Sequence, residues 1–268
     1  MLRSLKALEG YSVNATDGDI GRVVNFLVDD ERWVVRYLVA EIGVGTAARH
    51  VLISPISFRD ADWETHRFHL TVTNHKVTHS PEVDLAQPVS REQEAAFHRY
   101  YGYPYYWGYA GPWGVGVSPS LLAGGAGADG VPRHFDTLVP DAHLRSATEL
   151  RGYHVQGTDG GIGHIDDFVV DDETWQVRYL AIDTSNWWFG KKVLISPAWA
   201  THVSSAQKDA YFGLSRQAIK ESPEWNASAG VNREYETRLY DYYGRPAYWE
   251  TDHAPHEAPS RQSVMHPR

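Results

Sequence analysis

Fourteen histidines in a chain of 268 residues raise the question of metal first. His75 and His79 are four residues apart, a spacing that puts two imidazoles on one face of a helix, and His66 and His69 lie just upstream. The acidic runs Asp29-Asp30-Glu31 and Asp171-Asp172-Glu173 could offer carboxylates to calcium. They lack the ligand-dense loop and interior glycine of a dedicated site, so solvated hairpin turns are the expectation. Nucleophilic chemistry has less to draw on: the chain contains no cysteine, no Gly-x-Ser-x-Gly elbow, no phosphate-binding loop and no dinucleotide fingerprint. Ser54 and Ser196 each precede a proline, without a histidine placed to activate both. The expectation is a non-enzymatic chain with no cofactor, no catalytic residues and no metal; metal binding through residues 66–79 is the alternative.

Recognition chemistry is better represented. The run Asn186-Trp187-Trp188-Phe189-Gly190-Lys191-Lys192 sets three consecutive aromatics beside two cations. Aromatic side chains in a loop must be covered, by the chain itself or by a partner, and the lysines make a positive spot on an acidic protein. Sugar stacking on Trp187 and Trp188 is a further alternative. Arg36 and Arg178 each sit mid-strand opposite aromatic residues. Each is expected to lay its stem on the sheet and pair its head with a carboxylate, or else to anchor an interface. The candidate protein interface is therefore Trp187, Trp188, Phe189, Lys191, Lys192, Arg36 and Arg178.

These residues are positioned by a duplication. Residues 4–107 lie over residues 146–249 at a constant offset of 142 with no insertion. Asp17-Gly18-Asp19-Ile20-Gly21 meets Asp159-Gly160-Gly161-Ile162-Gly163, Val51-Leu52-Ile53-Ser54-Pro55 meets Val193-Leu194-Ile195-Ser196-Pro197, and Ser80-Pro81-Glu82 meets Ser222-Pro223-Glu224. A period this long marks a duplicated domain, not a solenoid. Four regions follow: a first copy at 1–107, a Gly/Pro-rich linker at 108–145, a second copy at 146–249 and a disordered tail at 250–268.

Within each copy, Asp17-Gly18 and Asp159-Gly160 signal a two-residue hairpin. The strand after it breaks parity at Val23 and Ile165, which predicts a bulge. Trp33, Val35, Tyr37 and Val39 alternate with Val34, Arg36, Leu38 and Ala40, the period of a strand. Val51-Leu52-Ile53 reads as a central strand ended by Pro55. Many short strands with turns between them suggest a small barrel. Beyond each barrel, Ser90 to Tyr101 and Asn232 to Tyr243 carry a cap, an early acidic turn and helical spacing, with Gly102 and Gly244 as stops. An aromatic, proline-containing strap follows.

Net charge is −9, from 25 Lys and Arg against 34 Asp and Glu. A nucleic-acid partner, which needs a basic face to displace phosphate counterions, is not expected. With neither a signal peptide nor an apolar run of about 18 residues, the expected location is cytoplasmic, with attachment at the inner membrane face only through a partner.

The second copy resembles bacterial PRC-barrel domain proteins. Leu150-Arg151-Gly152-Tyr153, the Asp159 to Gly163 turn, Phe168 to Trp175, Arg178-Tyr179-Leu180, Asn186 to Lys192, Val193 to Pro197, Ser222-Pro223-Glu224 and Tyr242 to Pro246 carry the likeness. The first copy is similar, but has Ile42 to His50 in place of the double tryptophan and double lysine. Relatives include the cytoplasmic domain of the photosynthetic reaction-centre H subunit and the C-terminal domain of a ribosome-maturation factor, which dock onto larger assemblies. The resemblance implies a six-stranded antiparallel barrel used as a binding module. The expected fold is mainly β: two tandem small antiparallel PRC-type barrels, each followed by a short helix and aromatic strap, packed as an intramolecular pseudo-dimer. The expected function is that of a non-enzymatic adaptor docking onto a protein or membrane-associated complex, as H-type subunits do.

Overall fold

The computed structural model describes residues 1–43, 48–82, 89–107, 111–114, 116, 118–122, 143–184 and 191–251. The first half runs β1 (Leu2–Ser4), α1 (Leu5–Leu8), β2 (Ser12–Ala15), β3 (Gly18–Asp29), β4 (Val34–Ile42), β5 (Arg49–Ile53), β6 (Phe58–Asp62), β7 (Arg67–Leu70), α2 (Asn74–Thr78) and α3 (Arg91–Tyr101). The second runs β8 (Leu144–Ser146), α4 (Ala147–Leu150), β9 (His154–Gly157), β10 (Gly160–Asp171), β11 (Val177–Asp183), β12 (Lys192–Ile195), β13 (Ala200–Ser204), β14 (Asp209–Phe212), α5 (Arg216–Glu221), α6 (Arg233–Tyr243) and α7 (Tyr248–Thr251).

Two seven-stranded sheets result, ordered β5-β4-β3-β2-β7-β6 and β12-β11-β10-β9-β14-β13, each with one further strand on its long central member. The expectation of antiparallel closed barrels is corrected here. β2 pairs with β7, and β9 with β14, in parallel, so both sheets are mixed. Each path also ends without its two outer strands pairing among the described residues. The reason lies at Pro55 and Pro197, which begin 3-10 turns. Proline has no N–H to continue a ladder, so the chain turns a corner instead of folding back. β6 then keeps the sense of β5, and the β6–β7 hairpin brings β7 alongside β2 in the same direction.

The local signals place most of the rest. β3 shifts register against β4 between Val23 and Asn25, and β10 against β11 between Ile165 and Asp167, where parity broke in the sequence. The hairpin turn lies one residue earlier than Asp-Gly: Ala15 pairs with Gly18, leaving Thr16-Asp17 at the tip. The Asp17 carboxylate accepts the Asn74 N–H at 2.6 Å, and Asp159 accepts the Arg216 N–H at 2.7 Å, so each hairpin tip is tied to the helix that follows β7 or β14. Gly163 sits in the bulged strand with no room for a side chain, since a Cβ there would lie 2.0 Å from the Asp183 carbonyl oxygen. Gly163→Ala must push β10 away from β11. We expect a loss of about 2 kcal/mol, read as a lower denaturant midpoint at unchanged slope.

The two halves exchange their first strands. β1 pairs with β10 of the second half and β8 with β3 of the first, in equivalent registers: Leu2 faces Asp171, and Leu144 faces Asp29. The caps repeat the exchange. Ser4 donates to Asp167, and the Asn25 amide donates to Ser146 at 2.7 Å. Arg3 pairs with Asp172 at 2.8 Å and Arg145 with Asp30 at 3.3 Å. Glu9 and Arg151, equivalent positions in the repeat, pair with each other at 2.6 Å. One apolar core consequently runs through both halves, from Leu5 and Val13 to Leu150 and Ile165. Leu144 and Arg145, read from sequence as linker, are the start of a shared sheet.

Helix α3 has the expected capping box at Ser90 and a left-handed Gly102 stop; α6 has Asn232 and Gly244 in those places. Each covers the outer face of its sheet. Phe97 and Tyr101 pack on Leu27, Tyr37, Val39 and Leu52, and Leu239 and Tyr240 pack on Val169, Tyr179, Ala181 and Leu194.

Candidate docking surface

Charged residues that could have done chemistry are consumed in holding the helices to the sheets. Glu94 on α3 is fully buried and its carboxylate accepts from Tyr37 at 2.9 Å, Tyr106 at 2.7 Å and Arg91 at 2.6 Å. The second half repeats the arrangement: Glu236 accepts from Tyr179 at 2.8 Å and Tyr248 at 2.9 Å, with Arg233 at 3.0 Å. Burial pushes Glu94 above the usual carboxylate range, against the pull of Arg91 and the two hydroxyls. A carboxylate surrounded by its own donors fixes the helix; it has no open side from which to take a proton from a substrate.

His98 replaces the second half's Tyr240 in this cluster. Its Nδ1 lies 2.8 Å from the Pro104 carbonyl oxygen and its Nε2 3.0 Å from the Tyr37 hydroxyl. A carbonyl only accepts, so Nδ1 carries the proton, while the unprotonated Nε2 faces the Tyr37 hydroxyl, whose single proton goes to Glu94. Burial, helped by Arg36 and Arg91, pushes His98 down to about 3. The folded imidazole is then neutral at pH values where an unfolded one, with a pKa near about 6.5, is protonated. Between those limits the unfolded chain binds more protons, so stability falls as pH falls through the window. Glu94, raised by burial, acts in the opposite sense above the unfolded carboxylate range. His98→Gln should remove up to about 1.4 kcal/mol per pH unit from the acid slope between pH ~6.5 and ~5, measured by urea midpoints. Parallel slopes in variant and parent would contradict the assignment.

Arg36 does not reach the exterior. It is 1% exposed, donates to Asp29 from Nε at 3.1 Å and Nη2 at 2.6 Å, donates from Nη1 to the Pro112 carbonyl, and lies 3.6 Å over the Tyr106 ring. It therefore has nothing to present to a partner. Arg178 is less enclosed, at 9% exposure, with Asp171 at 3.5 Å and the Tyr248 ring at 4.0 Å. Lys191 donates to the Ser222 carbonyl at 2.6 Å and Lys192 to Asp166 at 2.6 Å. The positive spot expected from this pair is therefore partly neutralised, because Asp166 faces both Lys192 and Lys6. Trp187, Trp188 and Phe189 lie outside the described residues.

The histidines of the metal alternative are dispersed. His66 packs at a tilt against Tyr11, His69 faces Asp60 at 3.9 Å, and His75 and His79 stack on each other with ring centres 4.0 Å apart. Among the described residues, no group of three or more His, Asp or Glu is placed to hold a metal ion. The acidic turns are not the solvated loops expected. Asp29 Oδ1 accepts the N–H groups of Glu31 and Arg32 and its other oxygen holds Arg36, while Asp30 and Asp172 face arginines of the opposite half. Duplication turned these tips into contacts between halves.

A groove of about 480 Å³ opens where the halves meet. Its walls include Trp33 from the first half and Arg178, Pro197, Trp199, Tyr240 and Tyr248 from the second. Trp33 is placed there by an uncommon backbone: its φ is +54°, and that of Trp175 is +57°. Left-handed geometry is costly for a bulky residue and persists where surroundings over-determine it. Here the Trp33 carbonyl accepts the Val177 N–H at 2.7 Å and the Trp175 carbonyl the Val35 N–H at 2.8 Å, so each turn is clamped to the other half. Sequence reasoning missed Trp113, Glu94, Glu236, Tyr106, Tyr248 and Trp199. For the Glu and Tyr pairs the signal was available, since identical residues recur at the 142-residue offset.

Each half is a mixed sheet with one long bulged strand, a 3-10 corner after its fourth paired strand and a helix on its outer face. Residues 143–211 match the PRC-barrel domain family. The PRC-barrel segment begins one residue before β8 and ends within β14, so it includes the strand given to the opposite half. No curated protein matches the chain. Among the described residues, no helix is long and apolar enough to cross a membrane.

Proposed function

We propose that the chain is a non-enzymatic adaptor: two PRC-type β-units fused into an intramolecular pseudo-dimer that docks, through its exterior, onto a partner protein or a membrane-associated assembly on the cytoplasmic side. The PRC-barrel match over residues 143–211 carries the reading. The geometry supports it, because Glu94, Arg36, Arg91, His98 and Glu236 are committed to internal hydrogen bonds while an aromatic and arginine-lined groove faces outward. Aromatics and arginine are the residue types that dominate binding energy at protein interfaces.

The test is capture with the immobilised full chain from its native host, repeated with Trp188→Ala, followed by reconstitution with each captured protein after purification. A defined complex that survives size-exclusion chromatography with light scattering is the expected result. No protein re-forming such a complex, together with substrate turnover by the chain alone, would overturn the adaptor reading.

A further inference from the structure

Where Trp175 of the second half meets the first half, aromatic side chains fill the space. Trp175 packs edge-on against Phe58 with ring centres 5.3 Å apart and at a tilt against Phe68 at 6.0 Å, while Phe58 and Phe68 stack on each other at 5.0 Å. Trp63 stands edge-on to Phe68 at 6.0 Å, and the Arg3 guanidinium lies 3.6 Å over its ring. Ile56 is 1% exposed, and the Pro119–Leu121 turn, in the insert between the copies that carries Trp113, packs on Pro55–Ser57. No room is left there for anything else.

The equivalent place, where Trp33 of the first half meets the second, has lost that volume. At the 142-residue offset Ile56 becomes Ala198, Phe58 becomes Ala200, Trp63 becomes Ser205 and Phe68 becomes Ala210. A cavity of about 520 Å³ lies there between Trp33 and β13, within the size range of small-molecule pockets. Arg145 stands at the position of Arg3, but with a serine in place of the tryptophan it donates to Ser205 Oγ at 3.0 Å.

One edge of this cavity is acidic. Asp30 and Glu31 line it together with Arg145 and His143. The Asp30 side chain is 10% exposed and its Oδ2 pairs with Arg145 at 3.3 Å, but its Oδ1 has no hydrogen-bond donor among the described residues. His143 Nδ1 stands 3.5 Å from that oxygen, beyond the reach of a good hydrogen bond. Burial raises the Asp30 pKa against the pull of Arg145 and His143, as expected of a carboxylate short of donors. Glu31 lies 3.0 Å from His143 Nε2, with its side chain 63% exposed. Two carboxylates against one guanidinium favour a cation when the imidazole is neutral. We infer that the cavity binds a small aromatic amine, its ring against Trp33 in the space that Phe58 and Trp63 fill in the other half, and its ammonium at the edge formed by Asp30 and Glu31. The Arg145 guanidinium then has a ring to cover, as Arg3 has in Trp63. This goes beyond the adaptor reading and does not depend on it.

The probe is tryptamine, titrated into the full chain at neutral pH and followed by calorimetry, with 3-indolepropionate as the same ring bearing the opposite charge. Tryptamine is expected to bind at one site per chain, and 3-indolepropionate about tenfold or more weaker. Ala200→Phe restores the side chain that the other half carries at this position, so it should fold and should abolish binding. Asp30→Asn should bring the two indoles level; should that variant fail to fold, Ala200→Phe still decides. No binding by the parent, equal affinity for the two indoles, or equal binding by parent and Ala200→Phe overturns the inference. So does tryptamine binding that emerges only in Phe135→Ala, which would make the segment before His143 the occupant. A purified partner protein that loses its affinity for Ala200→Phe, with no tryptamine binding by the parent, would likewise overturn it and assign the cavity to a partner's side chain.

Discussion

Replacing Arg36 with alanine is expected to cost about 3–5 kcal/mol of folding stability, the usual penalty for removing one partner of a buried ion pair. The side chain is 1% exposed and lies under the strap, so no water can replace its three donated hydrogen bonds. Asp29 would be left with one oxygen unpaired at 6% exposure, in a turn that also organises the Glu31 and Arg32 amides. Lysine should not rescue it, because a point charge cannot make the forked contact to Asp29 while also reaching Pro112. The control is internal to the molecule. Arg178→Ala should cost about 1 kcal/mol, since its ion pair spans 3.5 Å and the Asp171 side chain is 20% exposed. Guanidinium midpoints at constant slope measure both. Equal losses at the two positions would show that the insert over Arg36 contributes nothing to the difference.

Trp113→Ala is expected to be comparable, at about 3–5 kcal/mol, from the lost burial of an indole and the cavity left behind. For a chain of this size that is a fall in Tm of about 10 °C. The residue packs in the core shared by both halves, with Leu122 and Ile56, and ties its N–H to Thr174 of the opposite half. Trp113→Phe separates the two contributions. It keeps most of the ring and loses the hydrogen bond, so about 1 kcal/mol should go, with the Thr174 carbonyl left to be satisfied by water. Scanning calorimetry distinguishes a further outcome: if Trp113 couples the halves, its removal should broaden the transition as well as lower it. An unchanged Tm would mean that the insert lies on the surface without contributing to the fold.

Local features were open to prediction because local chemistry makes them. The bulges near Val23 and Ile165 show as parity breaks, since an added residue on one strand flips every side chain beyond it. The capping box at Ser90 and the stops at Gly102 and Gly244 follow from backbone groups that a helix end leaves unpaired. The hairpin was found one residue out of place because its Asp17 serves the Asn74 amide as well as the turn. Other features had no local signature. Leu2–Ser4 and Leu144–Ser146 are three residues each, too short for alternation to show, and their partners lie in the opposite half. The parallel pairings of β2 with β7 and β9 with β14 depend on a corner at a proline that, read along the chain, marks only the end of a strand.

The candidate surface divides in the same way. From the sequence alone, Arg36 and Arg178 were one reading written twice; the fold separates them, because Pro112 and Trp113 lie over the first while the second stands at the rim of a groove. The glycine-rich composition of residues 108–145 reads as spacer, and composition carries no record of a single indole finding a pocket. Trp113 is buried because a site made by both halves exists to receive it. The repeat, the strand-rich class, the caps and the absence of thiol chemistry were determined by residue order, where neighbours within a few positions decide the outcome. The strand exchange, the shared core and the burial of Arg36 and Trp113 were decided by tertiary structure, because each depends on contacts between residues tens to more than a hundred positions apart, whose side-chain types alone do not name their partners.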